Sequence, residues 1–105
     1  MTDTRLRLTR LLDAMQGELQ HLDLWETLPP EPEAFDSATP FFADTMNFSQ
    51  WLQWVFIARF RALLETEHPL PAQCDVAPLA EEALRGLALP TDELIRLIRE
   101  FDGHF

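Results

Sequence analysis

Residues 47–64 decide the fold, and they read NFSQWLQWVFIARFRALL. Asn47 and Gln50 are spaced as a capping box, in which each side chain hydrogen-bonds to the backbone N–H of the other at a helix start. Most of the residues that follow are apolar and surround the helix on several sides. Such a helix packs against neighbours around most of its circumference. We therefore predict a central helix that begins at Phe48 and ends before Pro69.

Apolar residues also recur at helical spacing on both sides of this central segment. In the first segment they alternate between steps of four and three, at Leu8, Leu12, Met15, Leu19 and Leu22. This spacing predicts an amphipathic helix of about five turns. Near the C-terminus, Asp75 and Thr91 are placed to cap two shorter helices, because their side chains can accept a hydrogen bond from a free backbone N–H.

The connection between the first and the central helix is rich in proline. Its prolines, each of which fixes φ and removes a donor, are Pro29, Pro30, Pro32 and Pro40. The aromatic residues expected to pin it to the core are Phe35, Phe41 and Phe42. No window has the two-residue alternation of a strand, and the length suits one core. We predict an all-α fold, a compact four-helix bundle with a proline-rich first connection, in a single domain covering 1–105.

The charge of the chain disfavours several kinds of partner. Its net charge is −10, all eight basic residues are arginine, and none lies between Leu11 and Ala58, an interval with eight acids. Because phosphate backbones are attracted by clustered Lys and Arg, direct nucleic-acid binding by the whole domain is disfavoured. The single cysteine, Cys74, fits a reducing cytoplasm, and we expect no targeting segment and no membrane span.

Reactive groups do not gather in the sequence. The three histidines are far apart and none has a second histidine one turn away, so we expect no metal site. Neither serine lies in a nucleophile elbow, and the scattered glycines form no phosphate loop. Cys74 precedes a helix, where the pKa of a thiol can be lowered, although a half-buried small residue is the simpler interpretation. We expect no catalytic residue and no cofactor.

Three blocks of the sequence resemble the YqcC-like family of small bacterial proteins. They are Thr39-Pro40-Phe41-Phe42-Ala43-Asp44-Thr45-Met46, then Trp51-Leu52-Gln53-Trp54-Val55, and later Leu70-Pro71 with Val76-Ala77-Pro78. The resemblance covers nearly the whole chain and implies a compact bundle of α-helices. The family label ties such proteins to tRNA pseudouridine synthase C. This is an association and not an activity, so no catalytic residue is carried over.

The sequence therefore predicts a non-catalytic protein-interaction or accessory module whose partner is a protein, with an RNA-modifying enzyme as the candidate. Its candidate contact surface joins polar groups to large aromatics at a loop-helix junction, and consists of Asp44, Thr45, Trp51, Gln53 and Trp54. Core packing is the competing interpretation of the tryptophans, and Trp54 with Ile57 is the pair expected to be partly exposed.

Two other functions stay open from the sequence. The first is a small-molecule carrier or sensor, with a pocket among Trp51, Phe56, Phe60 and Phe101. The second is an RNA-binding accessory protein that uses the basic cluster Arg5, Arg7 and Arg10. Assembly into a homo-oligomer is compatible with each of these functions.

Overall fold

Four α-helices account for most of residues 2–66 and 68–105, the part of the chain that the computed structural model describes. Helix α1 is Thr2–His21, α3 is Ala77–Leu84 and α4 is Asp92–Asp102. Helix α2 covers residues 48–65 without a break, as Phe48–Trp51, Leu52–Ile57 and Ala58–Glu65. Short 3-10 turns lie at Pro32–Asp36 and Pro40–Phe42, and the described ranges contain no strand. The predicted all-α architecture with four helices is confirmed.

The core lies between α1, α2 and α4, with α3 packed against α4. The predicted apolar face of α1 is buried throughout, since Leu8, Leu12, Met15 and Leu19 have no exposed surface. Burying a side chain of this kind stabilises a fold by roughly 1.5–3 kcal/mol. The periodicity of the first segment therefore identified the face of α1 that holds the bundle together.

Phenylalanine rings fill the space between α2 and α4. Phe56, Phe60 and Phe101 have ring centroids 4.9–5.3 Å apart, and Trp51 lies 5.6 Å from Phe56. These are distances of direct contact between rings. These contacts count against the alternative of a ligand pocket among these four side chains, because the rings occupy the space between them.

The start of α2 follows the prediction. Asn47 Oδ1 accepts a hydrogen bond from the N–H of Gln50 at 2.9 Å, and Gln50 Oε1 accepts one from the N–H of Asn47 at 3.0 Å. The helix then widens into one π-helical turn, Leu52–Ile57. Such turns, with hydrogen bonds from i to i+5, are rare and often lie at functional sites. The sequence predicted a continuous helix here but not its wider turn.

The start of α3 differs from the prediction. Val76, and not Asp75, occupies the N-cap position, and the N–H of Ala77 donates to Asp102 Oδ2 at 2.7 Å. The end of α4 lies across the start of α3, so a carboxylate from the other helix replaces the local cap. Thr91 does precede α4 as predicted, although its side chain makes no capping hydrogen bond.

Cys74 lies beside the same carboxylate. Its Sγ donates to Asp102 Oδ1 at 3.2 Å. Burial, together with the hydrogen bond to Asp102 and the charge of that residue, raises the pKa of the Cys74 thiol to about 12. Cys74 is therefore the half-buried small residue of the simpler interpretation, and the alternative of a lowered thiol pKa is wrong, because burial and then Asp102 outweigh any effect of the helix N-terminus.

None of the helices within residues 2–66 and 68–105 combines the length and the apolar content that crossing a lipid bilayer requires.

Candidate functional site

The site begins where the chain leaves α1 and turns toward α2. Asp23 has a φ of 62°, in the left-handed region that aspartate tolerates better than most residues. The N–H groups of Leu24 and Trp25 both donate to the carbonyl of Leu19, at 2.8 Å and 3.2 Å. This tight turn brings the next residue, Glu26, against the π turn of α2.

The side chain of Gln53 hydrogen-bonds to both backbone groups of Glu26, the N–H and the carbonyl. Its Oε1 accepts a hydrogen bond from the N–H of Glu26 at 2.8 Å, and its Nε2 donates to the carbonyl of Glu26 at 2.8 Å. The Gln53 side chain is only 4% exposed. A buried amide needs such partners, because leaving its polar groups unpaired is costly. Gln53 therefore fastens the first connection to α2.

The side chain of Glu26 is also held by α2. Its Oε1 accepts from Trp54 Nε1 at 3.1 Å, and Gln50 Nε2 donates to Oε2 at 3.2 Å and to Oε1 at 3.4 Å. The carboxylate forms part of a cleft of about 430 Å³ that is lined by residues 25–30 and Gln50. A negative charge is thus fixed in position at the edge of the proline-rich connection.

The loop before α2 is shaped by a second set of hydrogen bonds. Ser37 Oγ donates to Asp44 Oδ1 and accepts from the N–H of Thr39 at 3.0 Å. The hydrogen bond from Ser37 holds the pKa of the Asp44 carboxyl below its ordinary value. Thr45 Oγ1 donates to the carbonyl of Ala34 at 2.8 Å. Asp44 and Thr45 are exposed, yet both take part in holding this loop in shape.

Two aromatic residues of this loop have an unusual backbone. Phe41 and Phe42 have φ values of 57° and 52°, in the left-handed region that residues with a Cβ rarely adopt. Each such residue costs roughly 1–2 kcal/mol. The edge-to-face contact of Phe41 with Trp51, at 5.0 Å between centroids, offsets part of this cost. Of the three aromatic residues expected to pin this loop to the core, Phe42 packs against the core and Phe41 contacts Trp51 although it is 42% exposed. The expectation for Phe35 is wrong, because its side chain is exposed and is not among those packed on the core.

The five predicted surface residues comprise one pair that bonds within the loop, one pair that bonds to Glu26, and Trp51. Asp44 and Thr45 are exposed and bond within the loop, whereas Gln53 and Trp54 bond to Glu26. Trp54 is half-buried, but Trp51 and Gln53 are buried. The side chains of Trp51 and Gln53 therefore support the surface from below and are not part of it. The role of the remaining three in binding a partner stays a prediction.

Burial separates the two tryptophans and corrects one related expectation. Trp51 is 9% exposed and packs on Phe41, Phe48 and Phe56, in agreement with the core interpretation. Ile57, which was expected to be partly exposed beside Trp54, is only 1% exposed. The prediction for Ile57 is wrong because α2 is covered by neighbours on that side also.

Glu26 and the second role of Gln50 were missed from the sequence. A glutamine at position 53, inside an apolar run, signalled that a buried amide would need partners. The sequence did not indicate which segment would supply them, because the partner is 27 residues away in the chain. The proline-rich connection itself was predicted, but not as part of a site.

The arginines near the N-terminus have specific partners. Arg5 donates through Nη1 to the carbonyl of Leu63 at 3.3 Å and through Nη2 to the carbonyl of His68. It thus caps the C-terminal end of α2, where carbonyl groups lack helical partners. Arg7 forms an exposed ion pair with Asp3 at 3.7 Å. Arg5 is therefore not free to bind a phosphate group, which weakens the RNA-binding alternative.

Across the described part of the chain, no group of three or more His, Cys, Asp or Glu side chains is arranged to hold a metal ion.

The chain is similar to several bacterial proteins. Residues 7–104 match the model of the family DUF446, described as tRNA pseudouridine synthase C. The chain is 49% identical over 74 residues to an uncharacterized protein of Haemophilus influenzae, over 70% of each chain. It is 45% identical over 84 residues to the uncharacterized protein YqcC of Escherichia coli, over 79% of this chain and 74% of that protein.

Two further similarities concern the fold and a longer protein. The solution NMR structure of YqcC from Escherichia coli matches with a TM-score of 0.82 and 37% identity, over 99% of this chain and 88% of that one. A tRNA pseudouridine synthase C of Pectobacterium carotovorum is 51% identical over 57 residues, which are 54% of this chain and 15% of that protein. A stretch like this one thus forms part of a much longer polypeptide.

Proposed function

The chain belongs to the DUF446 family of YqcC-like proteins, and from this premise we propose that it is a non-catalytic accessory module that binds a tRNA pseudouridine synthase. The observation that carries the proposal is the 57-residue match within the Pectobacterium protein named tRNA pseudouridine synthase C. Fusion of two segments keeps both at a high effective concentration. Where the accessory module and the synthase are separate chains, direct binding between them would keep the module beside the enzyme in the same way.

The loop-helix junction supports the proposal as a contact surface. It presents Asp44 and Thr45, together with the half-buried Trp54 and the partly exposed Phe41. Aromatic side chains of this size often dominate the energy of binding. The hydrogen bonds of Asp44, Thr45 and Glu26 hold the junction in one shape, so little conformational entropy is lost on binding.

The charge of the chain favours a protein partner of this kind. A protein that binds tRNA must present a basic surface to the phosphate backbone. The net charge of −10 on this chain is complementary to such a surface and would speed the encounter between the two proteins. The proposed setting is the cytosol, which suits a chain with a single cysteine.

The proposal is tested by titrating this chain into the purified tRNA pseudouridine synthase C of the same organism, in a calorimeter. We expect a complex, and we expect Trp54→Ala and Asp44→Ala each to weaken it by about tenfold or more. Leu87→Ala is the matched control, because Leu87 is an exposed apolar side chain after α3. Circular dichroism verifies that each variant is folded.

The absence of a complex with the folded wild-type chain would overturn the proposal. If instead the chain alone binds tRNA, with an affinity that falls as salt rises, the RNA-binding alternative replaces it.

A further inference from the structure

We propose that the cleft beside Glu26 receives an arginine-bearing segment of the partner protein. The cleft measures about 430 Å³ and is lined by residues 25–30 and Gln50. The inference rests on the proposed function, since it names the chemistry by which the accessory module would recognise its enzyme. It adds a site that the sequence did not predict, which adjoins the predicted surface through the hydrogen bonds of Gln53 and Trp54 to Glu26.

The carboxylate of Glu26 is positioned to accept a guanidinium group. Donors from Trp54 and Gln50 fix both of its oxygens, at 3.1 Å and 3.2 Å for the shortest contact to each. A carboxylate can accept about four hydrogen bonds, so two side-chain donors leave part of that capacity free. Arginine presents parallel N–H groups that match a carboxylate in a bidentate pair. A carboxylate held in place in advance loses little entropy when it forms that pair.

The rest of the cleft suits the apolar part of such a segment. Leu28 is 79% exposed, more than any other large apolar side chain that the structure describes. Pro29 and Pro30 follow it, and their rings fix the backbone on this side of the cleft. Trp25 adds an aromatic surface to the cleft lining, on which the aliphatic stem or the planar guanidinium of an arginine can pack.

The charge around the cleft selects a positive occupant. The chain supplies no basic residue between Leu11 and Ala58, whereas Asp23, Glu31 and Glu33 lie close to Glu26 in sequence. The ion pairs found in the described ranges leave Glu26 without an arginine partner from its own chain. A phosphate backbone would be repelled by these acids, so the charge favours a basic protein segment over RNA.

The first test compares Glu26→Gln with Asp36→Asn in the full chain, by titration into the purified synthase. Glutamine removes the charge but keeps one oxygen, which can still accept from Trp54, while its NH2 group replaces the oxygen that accepts the shorter hydrogen bond from Gln50. Asp36 is an exposed acid of the same connection outside the cleft, so its variant removes an equal charge elsewhere. We expect Glu26→Gln to weaken the complex by about tenfold or more, and Asp36→Asn by less than about twofold.

The apolar part of the inference has its own matched pair. Leu28→Ala should weaken the complex by about tenfold, whereas Leu87→Ala should leave it within about twofold of the wild type. Both leucines are exposed, so neither variant is expected to disturb the core. Thermal unfolding followed by circular dichroism verifies that the variants remain as folded as the wild type.

The second test identifies what enters the cleft. A photoreactive benzoylphenylalanine is placed at Thr27, an exposed residue of the cleft lining, and the complex with the synthase is irradiated. Mass spectrometry of the crosslinked peptide should find a synthase segment with an arginine next to an apolar residue. The same crosslinker at exposed Gln20, on α1, serves as the control and should not capture that segment.

The outcomes separate the two proposals. If the wild-type chain binds no synthase, the proposed function fails and this inference fails with it. If the wild type binds but Glu26→Gln binds equally well, or if the segment crosslinked at Thr27 contains no arginine, the proposed function stands and the assignment of the cleft is overturned.

Discussion

Gln53 stands among apolar neighbours on α2, where a leucine would fit the sequence pattern equally well. Its two hydrogen bonds satisfy both backbone groups of Glu26, which lies in the part of the connection that has no regular structure, residues 24–26. Backbone groups in such a segment must find partners outside it. The amide side chain of Gln53 therefore supplies the donor and the acceptor that the backbone of Glu26 does not find within its own segment.

Gln53→Leu should lower the free energy of unfolding by about 2–3 kcal/mol, because it removes two hydrogen bonds and leaves two part-buried backbone groups unpaired. Urea denaturation followed by circular dichroism measures the change. The matched control is Gln20→Leu on the exposed side of α1, which should change stability by less than about 0.5 kcal/mol. Equal stability of Gln53→Leu and the wild type would show that these bonds contribute nothing net.

At the scale of the helices, α1 and α2 are joined by more than their apolar faces. Arg5, in the first turns of α1, donates to the carbonyls of Leu63 and His68 at the end of α2. The positive guanidinium also lies at the negative end of the α2 dipole. Arg61 of α2 in turn donates hydrogen bonds to two side chains of α1, those of Asp13 and Gln16, at 2.9 Å each.

Arg5→Ala should lower the free energy of unfolding by about 1–2 kcal/mol, because it removes a charged cap from the end of α2. The control is Arg7→Ala, whose ion pair with Asp3 is exposed and should contribute at most about 0.5 kcal/mol. Thermal unfolding of both variants provides the comparison. A larger loss for Arg7→Ala than for Arg5→Ala would contradict the capping role.

The helix ends show which parts of the fold the sequence could predict. The capping box of Asn47 and Gln50 involves residues three apart, so it could be predicted from local spacing alone. The start of α3 depends on Asp102, 25 residues away, and the local rule wrongly selected Asp75. Local patterns therefore predicted the helices, whereas contacts between distant segments decided two helix ends and the whole of the Glu26 cleft.

At the scale of the whole molecule, the chain has an unusual set of titrating groups. It contains no tyrosine and no lysine, since all eight basic residues are arginine. Above pH 9, Cys74 is therefore the side chain that titrates first, ahead of any arginine. Its pKa is raised from an ordinary value of 9.0 to about 12 in the folded chain.

Stability should therefore fall between pH 9 and pH 11. Over this interval the unfolded chain loses the Cys74 proton while the folded chain keeps it, so ionisation favours unfolding. Because the thiol is only half-buried, we expect a loss of about 1 kcal/mol and not the full value of the pKa shift. Urea denaturation in the presence of a reductant measures it.

Cys74→Ala is the control for this pH dependence, since it removes the titrating thiol. The variant should have nearly the same stability at pH 9 and at pH 11. A loss as large as that of the wild type would assign the alkaline effect to another group.

The wide turn at Leu52–Ile57 also bears on how the length of this chain could change in evolution. A turn closed from i to i+5 holds one residue more than an α-helical turn, so deleting one residue there could restore a regular helix. Because the extra residue is accommodated within the wide turn, its removal would leave Phe60 facing Phe101, whereas a deletion in the regular α-helical part of α2 would rotate everything beyond it by about 100° about the helix axis. Single-residue gaps among relatives should therefore be tolerated at Leu52–Ile57 and rare at Ala58–Glu65, the regular part of the helix that follows.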